Sequence, residues 1–304
     1  MVARQHAAAF AFFLLLSIAM TWPLARNIDR AFAWSGDPYI NTWILDWDWY
    51  ATFHQPLHLF DANSFYPAID SLAFSENIYG IAILLFPFRA LGVPPIAAHN
   101  VATLLGFTFS GFVMYVLGRH ISLGALAGVI AGIFYAFVPF RFTHLSHVQH
   151  VWGGTLPLLV LALLAYAQKP TWLRSSFFAA AFLFNALCNI HWLLFGTIAI
   201  AGTVAILRPR LVPLLTCTAA ASLLLIPFLH PYATVAKLYG MTRTWNETMS
   251  FSALPSDWLV ASHYSRFYTA LHNSNVDAER WLFPGVLGIV LSIVGGVRPS
   301  SPHR

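Results

Sequence analysis

Eight stretches of this 304-residue chain, residues 7–25, 101–118, 121–140, 151–168, 175–190, 192–207, 211–229 and 281–297, contain no Asp, Glu, Lys or Arg. A helix crosses the hydrocarbon layer with roughly 20 mainly apolar residues, and no open backbone survives there without its hydrogen bonds. The pattern therefore predicts an all-α integral membrane protein with about eight transmembrane helices. Composition agrees: 58% of residues are hydrophobic and only 9% are charged, against about 25% charged in an ordinary soluble domain. A cytosolic enzyme, a disulfide-stapled secreted domain and a disordered chain are excluded on this ground. The net charge of +5 is spread along the chain and does not suggest nucleic acid. Cys188 and Cys217 lie within apolar stretches and read as small packing residues.

The first stretch reads as a retained helix rather than a cleaved leader, because Arg26, Asp29 and Arg30 stand between its apolar core and Ala31-Phe32-Ala33. A ninth apolar run, Asn77 to Phe88, is too short to cross and reads as interfacial. With the amino terminus cytoplasmic, the inner segments are then 1–6, 119–120, 169–174, 208–210 and 298–304. These short pieces hold half of the sixteen Lys and Arg, while all eleven acidic residues fall on the other side. That asymmetry is the positive-inside pattern. The organisation is one membrane domain, 1–304, with a first external loop at 26–100 carrying juxtamembrane helices and a second at 230–280. The two spans around Asn189-Ile190-His191 require a tight turn; a single long helix there would invert everything that follows.

Residues able to carry chemistry collect on the outer side. Gly36-Asp37-Pro38 is a turn followed by a helix start, so Asp37 reads either as a cap or as a carboxylate held just above the bilayer. Residues 39–53 interleave aromatic and apolar side chains with Asn41, Asp46 and Asp48, which fits a helix in the headgroup region. Asp46 and Asp48 are about 200° apart on a helix, so at most one faces a cleft. Glu76 precedes the interfacial run, either as a capping acid or as a second functional carboxylate.

The external end of the span 121–140 continues through Arg141, His144, His147 and His150. In a continuous helix His144 and His147 are neighbours, while His150 drifts by about 120°. Anion binding by Arg141 with His144 or His147, ligation of zinc or manganese, and interfacial anchoring all stay open. His191, with Asn185 and Asn189, reads as a hydrogen-bonded element of the turn, and Arg243 with Glu247 as a pair on a helix surface.

The order of these features resembles the GT-C class of membrane glycosyltransferases. The resemblance rests on a first span, an external Gly36-Asp37 with a Trp-rich helix, Phe65-Tyr66-Pro67 and Ser75-Glu76-Asn77 before a short apolar run. Further along it rests on Phe137 to His147, on Arg243 to Glu247 and on Glu279-Arg280-Trp281-Leu282-Phe283-Pro284-Gly285. It covers nearly the whole chain and is similar to an uncharacterised bacterial branch. It implies a multi-pass protein of the bacterial inner membrane that takes a sugar from a polyprenyl-phosphate donor to a glycan, lipid or protein acceptor of the envelope at the periplasmic face. The implied base is Asp37, with Asp46, Asp48 and Glu76 as alternatives. Arg141, His144 and His147 would bind the donor phosphate, and a divalent metal is an open requirement. Relatives of the protein mannosyltransferase type carry paired acids where this chain has Asp37-Pro38, and many have more spans. A non-catalytic lipid-binding or transport component, or a truncated remnant, is the alternative.

Overall fold

The computed structural model describes residues 2–121 and 123–297, and their regular structure is entirely helical. Helix α1 (Val2–Met20) leads into a long loop that carries α2 (Pro38–His54) and α3 (Tyr79–Ala90). Then come α4 (Pro95–His120), α5 (Ala125–Ala136), the short α6 (Pro139–Thr143) and α7 (Val148–Val151), and α8 (Thr155–Gln168). Helices α9 (Trp172–Cys188), α10 (Ile190–Leu207) and α11 (Leu211–Tyr239) complete the bundle, followed by α12 (Trp245–Phe251) and α13 (Val286–Val297).

Six segments are long and apolar enough to cross a membrane: α1, α4, α5 with α6, α7 with α8, α10 and α11. The two other expected crossings are shorter helices, α9 with 17 residues and α13 with 12. The expected span 281–297 shortens because residues 281–285, with Pro284, are not helical. The expected span 211–229 instead lengthens to a 29-residue helix that continues through Pro227 and Pro231, so the second loop starts ten residues later than the apolar run implies. The segment 298–304, with Arg298 and Arg304, lies outside the described residues.

Helices α1 and α4 run antiparallel, as successive contacts show: His6 beside Tyr115, Phe13 against Gly111, Ser17 Oγ 3.1 Å from Thr108 Oγ1. The fully buried Phe13 ring fills a notch made by two glycines. A Cβ on Gly111 or on Gly132 would stand 2.4 Å from it. Lacking a hydrophobic drive between helices in lipid, such close approach of small residues supplies the packing. Asn189 makes the expected tight turn, because its side chain accepts from the backbone N–H groups of His191 and Trp192 and caps α10. Asn185 then donates to the Trp192 carbonyl at 2.7 Å and packs on Gly196, which folds α9 and α10 into a hairpin.

All long connections thus gather at one end of the bundle, together with the Asn189 turn, and the short turns at 121–124, 169–171 and 208–210 lie at the other. The turn end is tied by Tyr166 to the Arg210 carbonyl and by Ser175 to the Pro213 carbonyl. The loop end is tied by Tyr232 accepting from Asn77 N–H, Asn100 donating to the carbonyls of Ile28 and Ala31, and Trp152 donating to that of Ala102. Helix α3 stays at the loop end, its Gly80 pressed on the Cys188 end of α9 so that a Cβ would meet backbone at 2.8 Å.

Candidate functional site

The histidine segment is where the loop end becomes chemical. A straight helix from Pro139 would have pointed His150 away from His144, but the chain breaks between α6 and α7, and residues 144–147 form a turn. The break brings three rings together: His144 to His147 at 6.3 Å between centroids, His144 to His150 at 5.6 Å, His147 to His150 at 5.4 Å. His191, at the start of α10, adds a fourth ring 6.4 Å from His150.

Three carboxylates from distant parts of the chain surround these rings. Asp37 makes no cap hydrogen bond to α2; its Oδ2 lies 2.9 Å from His147 Nε2, and its side chain is half exposed. Asn41, one turn on, donates to the Ser146 carbonyl at 2.9 Å and docks α2 on the same segment. Glu279 Oε2 lies 2.8 Å from His144 Nε2. His144 Nδ1 lies 2.8 Å from the Phe140 carbonyl and 2.9 Å from the Thr143 hydroxyl, so the ring is held at both nitrogens. The hydrogen bond from His144 holds the Glu279 carboxyl below the usual carboxylate range. Glu76 accepts from Ile190 N–H at 2.6 Å and from Gln149 Nε2 at 3.1 Å, with His191 Nδ1 at 3.7 Å. Its role is to hold the first turn of α10 beside the cluster. His150 keeps a buried Nδ1 without a partner.

Three expectations are corrected. Arg141 does not face a phosphate: it is 6% exposed, lies over the Tyr135 ring and donates to the carbonyls of Tyr135, His150 and Val151. Those carbonyls need it. Pro139 has no N–H to return to Tyr135, and the break after α7 frees the other two. Asp48 is not at a cleft: it is fully buried, accepts from Asn77 at 3.1 Å and has its other oxygen unpartnered. Burial pushes its carboxyl well above the usual range. Glu247 does not pair with Arg243 but closes a capping box with Thr244 on α12.

Asp46 points away from the cluster, pairs with Arg89 and lines an open groove. Among the described residues, no three His, Cys, Asp or Glu side chains converge to hold a metal ion, and both cysteines are free thiols. Sequence reasoning passed over Glu279 and Gln149 as site residues. The one available signal for Glu279 was the one Glu76 also gives, an acid immediately before an apolar run. The second loop is strapped across the cluster by Glu279, and Asp257 holds that strap in place by accepting from Arg280 at 2.7 and 3.1 Å. Comparison with protein-family models, with curated proteins and with solved structures gives no match to this chain.

Proposed function

We propose that this protein transfers a sugar from a polyprenyl-phosphate donor to a hydroxyl of an envelope glycan, lipid or protein, in the manner of a GT-C glycosyltransferase. The observation that carries the reading is the Asp37–His147 contact: a half-exposed carboxylate held at 2.9 Å by an imidazole, at the loop end of a membrane bundle. His147 fixes one oxygen of Asp37 and leaves the other to accept the proton of the acceptor hydroxyl. The acceptor oxygen then bonds to the sugar's anomeric carbon, and the bond to phosphate breaks, releasing polyprenyl phosphate. The leaving group departs as an anion and needs charge stabilisation. With Arg141 committed to backbone carbonyls, His144 supplies it by exchanging Glu279 for phosphate, while His147 stays on Asp37 at the edge of the same site. An apolar recess of about 410 Å³ among Phe10, Leu84, Leu105, Phe109, Trp152 and Phe184 fits the isoprenoid tail.

In this reading α9 and α13 complete eight crossings, the amino terminus is cytoplasmic, and the loop end faces the periplasm of a bacterial inner membrane. The basic residues support that orientation: Arg119, Lys169, Arg174, Arg208 and Arg210 sit at the turn end, and every acid at the loop end.

The test is Asp37→Asn, assayed as transfer of labelled hexose from polyprenyl phosphate in membranes containing either form. The amide keeps the shape and makes no cap bond that could be lost, so abundance should stay near wild type, while loss of a general base lowers the rate by about 10²- to 10⁴-fold. Equal rates would reduce the Asp37–His147 pair to a latch for the loops. A wild type without activity across donors would favour a non-catalytic lipid-binding or transport component.

A further inference from the structure

Helix α2 has two working faces. Asn41, Ile44, Leu45, Asp48 and Ala51 turn to the protein interior. Trp43, Asp46, Trp47 and Tyr50, spaced i, i+3, i+4 and i+7, form a second stripe, and this stripe lines one wall of an open groove of about 510 Å³. Asp46 lies about 13 Å along the helix from Asp37 and half a turn round from it, so the groove is separate from the histidine cluster.

The opposite wall is made of Gln55, Asp61 and Asn63, and each polar side chain there is held by one or two partners with capacity to spare. Asn63 Oδ1 accepts from Trp43 Nε1 at 3.0 Å, which leaves its two amide hydrogens free. Gln55 Nε2 donates to the His58 carbonyl at 3.3 Å, leaving its oxygen free. Asp61 accepts from Asp70 N–H at 2.9 Å and lies 3.0 Å from His58 Nδ1. Tyr50 is 45% exposed with one face stacked on His54, and Trp43 is partly exposed.

We propose that this groove binds a neutral saccharide chain. Flat aromatic edges and faces suit the apolar C–H surface of a pyranose, and planar amides and carboxylates suit pairs of neighbouring hydroxyls. The alternatives fit less well. Among the described residues no Lys or Arg lines the groove, which disfavours an anion, and the lining is too polar for a lipid chain. A cationic headgroup would want several exposed ring faces around an unneutralised acid, whereas Trp47 is 8% exposed and Asp46 is already paired with Arg89. The inference concerns binding and does not depend on the transfer chemistry at Asp37, although an acceptor glycan lying along α2 would use both.

The experiment uses the full chain in lipid nanodiscs, without maltoside detergent, titrated with linear tetrasaccharides of glucose, of mannose and of N-acetylglucosamine. Binding is read by saturation-transfer NMR and by tryptophan fluorescence. At least one saccharide should bind saturably. Tyr50→Ala and Trp43→Ala should each weaken it by about tenfold, and Trp43→Phe, which keeps a ring, by much less. Because Tyr50 is exposed, Tyr50→Ala tests the idea even if Trp43→Ala misfolds. Binding by none of the three, binding unchanged in Tyr50→Ala, or binding of tetramethylammonium in their place would overturn the proposal. Asp37→Asn should bind saccharide as wild type does. Loss of transfer with binding intact therefore separates this inference from the reading of the histidine cluster.

Discussion

Replacing Arg141 by Met removes a buried cation while keeping a side chain of similar length over Gly153, whose Cβ position is 2.6 Å from the guanidinium. Three carbonyls lose a charged donor. Charge-assisted hydrogen bonds are worth about 1.5–3 kcal/mol each, so a naive sum reaches roughly 5–9 kcal/mol. Two of the three acceptors keep another partner, however: His150 O retains Gly153 N–H, and Val151 O retains the Ser110 hydroxyl. Only the Tyr135 carbonyl is stranded. The loss should therefore fall nearer 3–5 kcal/mol, about 1–3 for the stranded carbonyl and about 1 for each acceptor left with a single partner. At about 2–4 °C per kcal/mol for a chain of this size, the melting temperature should drop by roughly 6–20 °C. The assay is thermal unfolding of purified wild type, Arg141→Met and Arg141→Lys followed by size-exclusion chromatography. Lysine can reach one or two of the carbonyls and should fall between them. A variant that melts with wild type and shows only a raised KM for donor would refute the reasoning and return the guanidinium to the substrate.

Other expectations follow from the same geometry. Gly132→Ala, whose Cβ would stand 2.4 Å from Phe13 and 2.5 Å from the Gly111 carbonyl, should cost about 1–3 kcal/mol. Gly295→Ala, inside α13 with open space around it, should hold or slightly raise the same melt, since Gly within a helix costs about 0.5–1 kcal/mol relative to Ala. The raised carboxyl of Asp48 means that the folded state holds that proton more tightly than the unfolded one. Its stability is then full below the usual carboxylate range and falls as pH rises toward the folded value. Asp48→Asn should match wild type near pH 4 and melt higher at pH 8; a lower melting temperature at pH 8 would refute it. The depressed Glu279 carboxyl works in the other direction. Its contact with His144 contributes stability above the usual carboxylate range and loses it as pH falls below about 4. Hydrogen exchange over residues 240–285 should accelerate there, and Glu279→Gln should show that acceleration already at pH 7.

What could be read from the sequence was what single segments decide. The charge-free runs marked the helices of the bundle, the short run 77–88 matches the 12-residue α3, and the two short spans on either side of Asn189 called for the turn that its side chain caps. The relation between Asp46 and Asp48 was also legible, since helical periodicity alone puts them on different faces. What escaped was set by contacts between segments. Pro227 and Pro231 look like a stop, yet the flanking turns of α11 pack on α9 and, through Phe228 and Tyr232, on Phe60 of the first loop, and that packing carries the helix through. An arginine at a span's edge resembles a ligand for anions until the break at Pro139 shows which carbonyls lack a donor. Glu279 meets His144 only because the second loop folds back over the bundle.

The shortness of α9 has a further consequence for depth. Its 17 residues span about 25 Å at 1.5 Å per residue, less than a hydrocarbon layer of about 30 Å. In the proposed orientation the Asn189 turn, with Glu76 and His191 beside it, is thereby set below the outer edge of that layer. A molecule anchored by its own tail would meet this recessed floor at the level where its headgroup already floats. It would not have to be drawn out of its leaflet to react.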